Sequence, residues 1–393
     1  MKKIYTGIDL GSYSIKMIVC EVINNNFHVL AASNIRCKGI KDGLVIDTKE
    51  AKKCLKKLKQ DIEKQLNITI NQAIIAISSY DKKFDIVEGC INIDENKIIN
   101  SSDIKKVLQQ AVSGKIDSDN QLVTVTPILF QVDNSNFTKD PKGCVGSTLS
   151  TKLVATSVPK DNLKSIASLL KECGIDVVDA TFGSIGDYYE AKSRNKDLDD
   201  CISAIVNIGH SKTEISIFNK GIMIKNKILS SGSKVIDKEI ACSYGIKLGQ
   251  ARSLKENFAL ADTRYADSID TVELINKDGI EFSINQLEIS NMVENSLIDM
   301  LKEIKKQINI LTNRKISYII IAGGISNIAG FEYAIENVFD KRTMVLNVDT
   351  IGIRDNIYSS CYGIIKYFYN KLDLEDISYS MINENFGYGS GER

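Results

Sequence analysis

Within Asp9–Lys16 the chain places a carboxylate, a glycine, two hydroxyls and an ammonium: Asp9, Gly11, Ser12, Ser14 and Lys16. That set suits phosphate. A glycine turn brings successive backbone N–H groups to one concave point, and such a nest holds anions. Ser12 and Ser14 add hydroxyl donors, and Lys16 adds a cation for phosphate oxygens. Asp9 cannot touch phosphate directly, but a carboxylate there can orient Mg²⁺ or its waters. Ile4–Asp9 and Ile15–Val22 flank the turn as apolar, β-rich runs, so the stretch reads as a hairpin and not as a strand–loop–helix phosphate motif. Taken alone, a Gly/Ser hairpin with a surface lysine is commonplace.

Recurrence changes that weight. Cys201–Gly221 repeats strand, glycine-containing polar turn and strand, with Asn207, Gly209, Lys212 and Thr213 in or beside the turn. A third Gly/Ser turn, around Gly232, precedes a helix expected from about Lys234. A buried strand then delivers Gly323 and Gly324 into a turn carrying Ser326. Two halves that each open on such a hairpin suggest a nucleotide held between domains, a favoured location for ligands.

The elements that must position these turns follow from pattern. At 393 residues, 43% of them hydrophobic, the chain is long enough for two or more packed domains. Helices are expected from Thr48 to about Gln65, near Ser102, over Asp161–Cys173, onward to about Lys196, over Glu288–Thr312, Phe331–Phe339 and Ser359–Asn370. Arg252–Leu287 is poorly patterned apart from a small strand pair in TVELINKDGIEFSI. The α+β stretch 82–158 reads as an insertion, because α/β segments resume after it. The charged tract Ser193–Asp200 reads as the main linker. Fifty basic residues balance fifty acidic ones, which excludes a globally basic nucleic-acid binder. No apolar run reaches the ~20 residues that cross a bilayer. Nine scattered cysteines without a C-x-x-C pair read as reduced, packed thiols of a cytosolic protein, and two isolated histidines argue against zinc.

At these residues the sequence resembles the actin/hexokinase/Hsp70 ATPase superfamily, and within it the FtsA family. GIDLGSYSIK (Gly7–Lys16) resembles the first phosphate loop, VNIGHSKTEISI (Val206–Ile217) the second, and IAGGISNIAGF (Ile321–Phe331) the adenosine loop, with SSGSKVIDKEIACSYG (Ser230–Gly245) as the connecting turn and helix. GIKDGLVID (Gly39–Asp47) and TPILFQVDNSNFTKDPKGCVGSTL (Thr126–Leu149) carry the likeness to FtsA itself. The resemblance implies an α/β, actin-like (ribonuclease H-like) two-lobed fold. Its first lobe would take 1–81 and 159–196, with the inserted subdomain at 82–158. The second core would take 197–240 and 313–358, its outer subdomain 241–312, the closing helix 359–370 and a flexible tail 371–393.

The same resemblance implies a cytosolic division protein at the inner membrane surface and septum that binds ATP with Mg²⁺, polymerises, and recruits FtsZ. Its nucleotide contacts would fall on Asp9, Gly11, Ser12, Ser14, Lys16, Asn207, Gly209, Lys212, Thr213, Gly232, Arg252, Lys255, Gly323, Gly324 and Ser326, with Asp9 serving the metal. Docking of the FtsZ tail would fall near Ser296 and Asp299 on the long helix.

Several positions depart from the family pattern. Asn207 stands where relatives place an Asp, so no charge is available there for a divalent cation or an attacking water. The Gly-rich turn becomes Gly209-His210-Ser211-Lys212, Ile325 replaces the last glycine of the adenosine triplet, and Arg252 replaces a ribose-facing Glu. Lys212 can replace some metal charge. Hydrolysis is therefore expected at background level at most. The tail DLEDISYSMINENFGYGSGER lacks the basic and aromatic faces of a membrane-surface helix, so the sequence leaves open whether this chain contacts lipid itself. Three other readings stand beside the leading one: a PilM-like scaffold of pilus or secretion assembly; a pseudo-ATPase structural adaptor, in which the loops persist only as folding turns; and an active actin-fold kinase or ATPase, which Asn207 speaks against.

Overall fold

The computed structural model describes residues 3–78, 81–133, 136–340, 342–374 and 379–382, without side chains at 95, 96, 136 and 374. They fall into two compact units: the described residues up to Tyr189 with Thr350–Ile353 and those from Ser360 onward, and Glu190–Asp349 with Arg354–Ser359.

The first unit opens with β1 (Lys3–Leu10), β2 (Ser14–Ile23) and β3 (Asn26–Arg36), an antiparallel meander. A two-strand ribbon, β4 (Ile40–Lys41) and β5 (Leu44–Val45), leads to α1 (Thr48–Leu66). Asp47 caps α1, accepting a hydrogen bond from the Glu50 N–H at 3.0 Å. Thr48 is the first helical residue. Ala51, Leu55, Leu58 and Ile62 form its buried stripe, and each buried Leu or Ile contributes about 1.5–3 kcal/mol. Next come β6 (Gln72–Ile77), β7 (Lys83–Ile98), α2 (Ser101–Val112), β8 (Asn120–Val132), β9 (Asn136–Thr138) and β10 (Val145–Pro159). The sheet β7-β10-β8-β9 carries α2 over small cores of its own, one built on Val107, Phe130 and Leu149 and one on Val87, Ala111 and Leu153. Helix α3 (Lys160–Glu172) stops at Gly174, whose φ of +69° favours glycine. Strand β11 (Asp176–Phe182) then joins the main sheet, ordered β11-β6-β1-β2-β3, and α4 (Gly183–Lys192) follows.

The second unit rebuilds the same sheet. Strands β12 (Ile202–Ile208), β13 (Thr213–Asn219) and β14 (Ile222–Leu229) repeat the meander, followed by α5 (Lys234–Ser243) and α6 (Leu248–Asn257). The ribbon β15 (Thr271–Ile275) and β16 (Glu281–Asn285), α7 (Gln286–Leu311), β17 (Tyr318–Ala322), α8 (Phe331–Glu336) and β18 (Thr343–Val345) complete it. Strand β12 pairs in parallel with β17, as β1 does with β6, giving the order β14-β13-β12-β17-β18. One apolar core runs from this sheet through α5 and α6 to the Val293, Leu297, Leu301, Ile304 and Ile308 stripe of α7. Residues 241–312, expected as a separate outer subdomain, thus share that core with the sheet.

Helix α9 (Ser359–Leu374) returns to the first unit and runs four residues past the expected end at Asn370. The tail was expected to fray, but Tyr379–Ile382 is docked on β1. The Met381 N–H donates to the Ile4 carbonyl at 2.9 Å, and the Ile4 N–H donates to Ser380 Oγ at 3.0 Å. Strand β1 meets β6 only at Gly7–Asp9, so its first half has backbone groups to spare, and buried groups of that kind need partners. Met381 is 4% exposed. Met381→Ala should lower unfolding free energy by about 2 kcal/mol or more, read as a shifted urea midpoint. The tail beyond Ile382 lies outside the described residues. Among described residues no helix is long and apolar enough to cross a membrane.

Candidate functional site

The first turn is shaped by its hairpin. Register places Asp9 opposite Lys16, so the two side chains share a face, and Lys16 Nζ lies 2.8 Å from Asp9 Oδ2. Burial opposes the ammonium, but the Asp9 charge and hydrogen bond prevail and raise the Lys16 pKa above its ordinary value. A side chain on Gly11 would sit 2.9 Å from the Ser14 carbonyl and 3.0 Å from Lys16 Nζ, so only glycine lets the backbone close over the pair. Ser12 Oγ accepts from the Asp42 N–H at 2.8 Å, which ties the turn to the β4–β5 ribbon. Its O–H remains able to donate to an acceptor such as a phosphate oxygen. Ser14 is buried at the start of β2.

In the second unit three turns converge. The Gly209 N–H donates to the Lys212 carbonyl at 2.9 Å and closes the β12–β13 turn. The Ser230–Ser233 turn docks on it: the Ser233 and Lys234 N–H groups donate to the Gly209 and His210 carbonyls, and Thr213 Oγ1 donates to the Ser231 carbonyl at 2.8 Å. A Cβ on Gly232 would meet the Gly209 carbonyl oxygen at 2.5 Å and the Lys212 nitrogen at 2.7 Å. Gly323, at φ +104°, lies against Ile208 and Asn207, where a Cβ would be 2.5 Å from the Ile208 carbonyl oxygen. Ser326 Oγ donates to the Gly323 carbonyl at 2.7 Å, and Asn356 Nδ2 donates to Ser326 Oγ at 2.9 Å. Gly324 packs against Ile357. The structure therefore gathers Asn207, Gly209, Lys212, Thr213, Gly232, Gly323, Gly324 and Ser326.

Arg252 and Lys255 are placed differently. Both lie on the buried face of α6, 6% and 2% exposed, and both converge on Asp237 of α5, itself 0% exposed. Arg252 holds Asp237 Oδ2 through Nη2 at 2.8 Å and Nε at 3.0 Å, while Lys255 Nζ lies 2.6 Å from Oδ1 as an ionic contact, not a directed hydrogen bond. They were expected to present cations to a ligand, and are instead turned inward to one buried carboxylate. Asp237 was missed in the sequence, where it looks like an ordinary acid in a helical first turn. Its neighbour Ile236 and Ile240, both fully buried, were the available signal that it faces inward.

His210 couples this cluster to the second turn, its ring nitrogens 3.2 and 3.4 Å from Arg252 Nη2. Burial and the Arg252, Lys234 and Lys255 charges push its pKa down to about 4, against a smaller opposing pull from Asp237. His210 is therefore neutral at pH 7. As pH falls, the unfolded chain takes up this proton first, near 6.5, so stability is complete above that value and is lost as pH drops towards 4. The loss should be about 1–2 kcal/mol after solvent screening. Urea unfolding from pH 7.5 to 4 should show it, and His210→Gln should flatten that component.

Glu214 is the other residue missed. It stands opposite Asn207 in the β12–β13 register, is 7% exposed, and accepts from Asn226 Nδ2 at 2.9 Å. Ser296, expected at a partner surface, hydrogen-bonds Glu239 and so joins α7 to α5. Asp299 is exposed, 3.9 Å from Lys302 one turn on.

These carboxylates bear on the expected Mg²⁺. Asp9 is matched to Lys16, Asp237 to two cations, and Asn207 carries no charge. Magnesium requires hard anionic oxygens around it. Asp9 stands as the counter-ion of Lys16, whose charged form the fully buried Asp187 also favours.

Comparison with known proteins agrees with this architecture. Residues 204–363 match the family described as "Cell division protein FtsA", and residues 83–156 match "SHS2 domain inserted in FTSA". The cell division protein FtsA of Bacillus subtilis (strain 168) is 22% identical over 369 residues, covering 93% of this chain and 83% of its own. Among solved structures, the PilM–PilN type IV pilus biogenesis complex aligns with a TM-score of 0.59 at 11% identity, over 91% of this chain and 96% of that one. MreB5 of Spiroplasma citri bound to ADP aligns with a TM-score of 0.56 at 14% identity, over 95% and 99%. The structural likenesses and the duplicated sheet make the fold actin-like, with an inserted SHS2 subdomain. With both of its characteristic segments matched and its relatives aligned along nearly the whole chain, this protein belongs to the FtsA family.

Proposed function

We propose that this chain is an actin-like cell-division protein that binds an adenine nucleotide, assembles head to tail into filaments, and recruits FtsZ to the division site at the inner membrane surface. The observation that carries the nucleotide is the glycine packing of the second unit. Gly232 and Gly323 bring three turns so close to one another that a single Cβ at either position has no room. Such convergence builds a backbone surface fit for phosphates and a ribose. In the first unit, the turn with Gly11, the Ser12 hydroxyl and Lys16 is by itself of the phosphate-holding kind. Hydrolysis is slow in this reading, because residues 207–213 include no Asp or Glu to activate water.

Filament growth needs a heterologous interface that does not close. Purified protein on a lipid monolayer, imaged by electron microscopy with and without ATP, should form filaments; dispersed particles under every condition would contradict the proposal. Exposed Asp299 on α7 supports FtsZ docking there. Asp299→Lys should weaken co-sedimentation with FtsZ by about tenfold. The pilus-scaffold reading has the PilM likeness behind it, which is a likeness of fold, whereas both family matches point to division.

A further inference from the structure

Helix α1 of the first unit carries seven lysines against three acids, in a chain that is neutral overall. At 3.6 residues per turn, Lys49, Lys53, Lys56, Lys57 and Lys64 fall within about 100° of arc, opposite the buried Ala51, Leu55, Leu58 and Ile62. All five are exposed, and they form a ridge about 22 Å long. The ion pairs of the helix lie on its flanks instead. Lys52 meets Glu172 at 2.7 Å; Lys59 meets Glu63 at 3.7 Å and donates to the Gly174 carbonyl at 3.1 Å. Glu63 also accepts from the Ile70 N–H at 2.7 Å, and Glu50 accepts from the Cys54 thiol at 3.6 Å. Asp61 stands at the margin of the ridge. Lys49 with Lys53, and Lys53 with Lys57, are like charges one turn apart, which opposes the helix. A solvated face of mixed sign avoids that cost. In the ribbon and the link to α1, Leu44 and Ile46 are apolar and 42% and 61% exposed.

We propose that the outer face of α1 rests on the anionic headgroups of a phospholipid bilayer. The inference rests on the membrane-surface location proposed above and supplies a contact for it. Two features favour lipid over an acidic protein. Protein carboxylates are best matched by the fork of an arginine, and α1 holds no arginine. Lysine ammoniums act as point charges in the field of a headgroup layer, which demands no fixed partner geometry. A bilayer interface also receives exposed apolar side chains, which Leu44 and Ile46 supply just ahead of the helix. Each lysine brought to such a surface strengthens binding about fivefold, and the attraction fades within a Debye length. The contact is therefore reversible and sensitive to salt.

Co-sedimentation of the full chain with vesicles tests this, with phosphatidylcholine containing phosphatidylglycerol compared with phosphatidylcholine alone. The unaltered protein should pellet with the anionic vesicles at about 0.05 M salt and be released at about 0.5 M. Lys53→Gln with Lys57→Gln should weaken the partition by about tenfold or more, and Lys53→Arg with Lys57→Arg should keep it. Lys105→Gln with Lys106→Gln on α2, an equal change of charge at exposed positions, should leave it unaltered. Melting curves establish that the variants fold. Vesicle binding that survives the α1 glutamines overturns the inference and leaves the membrane location standing, since another part of the chain then makes the contact. No binding to anionic vesicles also overturns it, and the division reading then depends on the FtsZ co-sedimentation above. Binding of poly-L-glutamate or duplex DNA by this face in place of vesicles assigns it to another polyanion and overturns the inference as well.

Discussion

Asp237→Ala is expected to lower the unfolding free energy by about 3–5 kcal/mol, because it takes the buried carboxylate from two buried cations and leaves them the more exposed Glu256, 3.9 Å from each. Arg252 and Lys255 are 6% and 2% exposed, so water cannot replace the carboxylate. The damage should be confined to the second unit. Limited proteolysis should open α5 and α6 while β1–β3 and α1 persist. The doubly substituted Arg252→Met, Lys255→Met chain with Asp237→Leu should recover much of the loss, since replacing a whole buried ionic set by apolar groups is often neutral. If Asp237→Ala shifts the urea midpoint only marginally, the cluster is more hydrated than its burial indicates. Arg252, released from Asp237, should hold His210 less firmly and loosen the second turn, so nucleotide affinity should fall together with stability.

Gly363→Ala should be at least as damaging, by about 3 kcal/mol or more, in the first unit. A Cβ at Gly363 of α9 would stand 1.8 Å from the Gly186 carbonyl oxygen of α4, and one at Gly186 would stand 2.4 Å from the Ser360 carbonyl oxygen. The obstructing atoms are backbone, so no rotamer change relieves them. Only separation of the helices would, and that would also withdraw α9 from Gly7 of β1, where a Cβ would be 2.8 Å from the Cys361 carbonyl oxygen. The phosphate-type turn sits at the far end of that strand. Gly249→Ala is the control. It lies within α6 with nothing within 4 Å, so it should gain up to about 1 kcal/mol from helix propensity. A drop in melting temperature for Gly363→Ala no larger than a surface substitution produces would contradict the crossing geometry.

Much of this was legible in the residues because it depends on local pattern. The glycine-containing turns within Asp9–Lys16 and Asn207–Glu214 lie between strand-forming apolar runs, and the α1 and α7 stripes repeat at helical spacing. The duplicated sheet follows from those elements occurring twice in the same order. What escaped depends on contacts remote in sequence. Helix α6 was hidden because two of the four residues on its buried face, Arg252 and Lys255, are cations, which erases the apolar period; Asp237, fifteen residues before Arg252, makes that burial tolerable. Docking of Tyr379–Ile382 rests on Met381 and Ile382 amid polar neighbours and on half of β1 being left unpaired by β6, which no local signal announces. The convergence of the Gly209, Gly232 and Gly323 turns was expected from resemblance, but the reason Gly232 and Gly323 must be glycine lies in backbone from another segment.

The central claim is that glycine turns, and not a side-chain pocket elsewhere, receive an adenine nucleotide. Hydrogen–deuterium exchange of the full chain with and without saturating ATP addresses it most directly. The account predicts that protection rises in the peptides covering Leu10–Ser14, Gly209–Lys212 and Gly323–Ser326. No change at those three turns while ATP binds, or protection appearing only along α7 and α8, would contradict it.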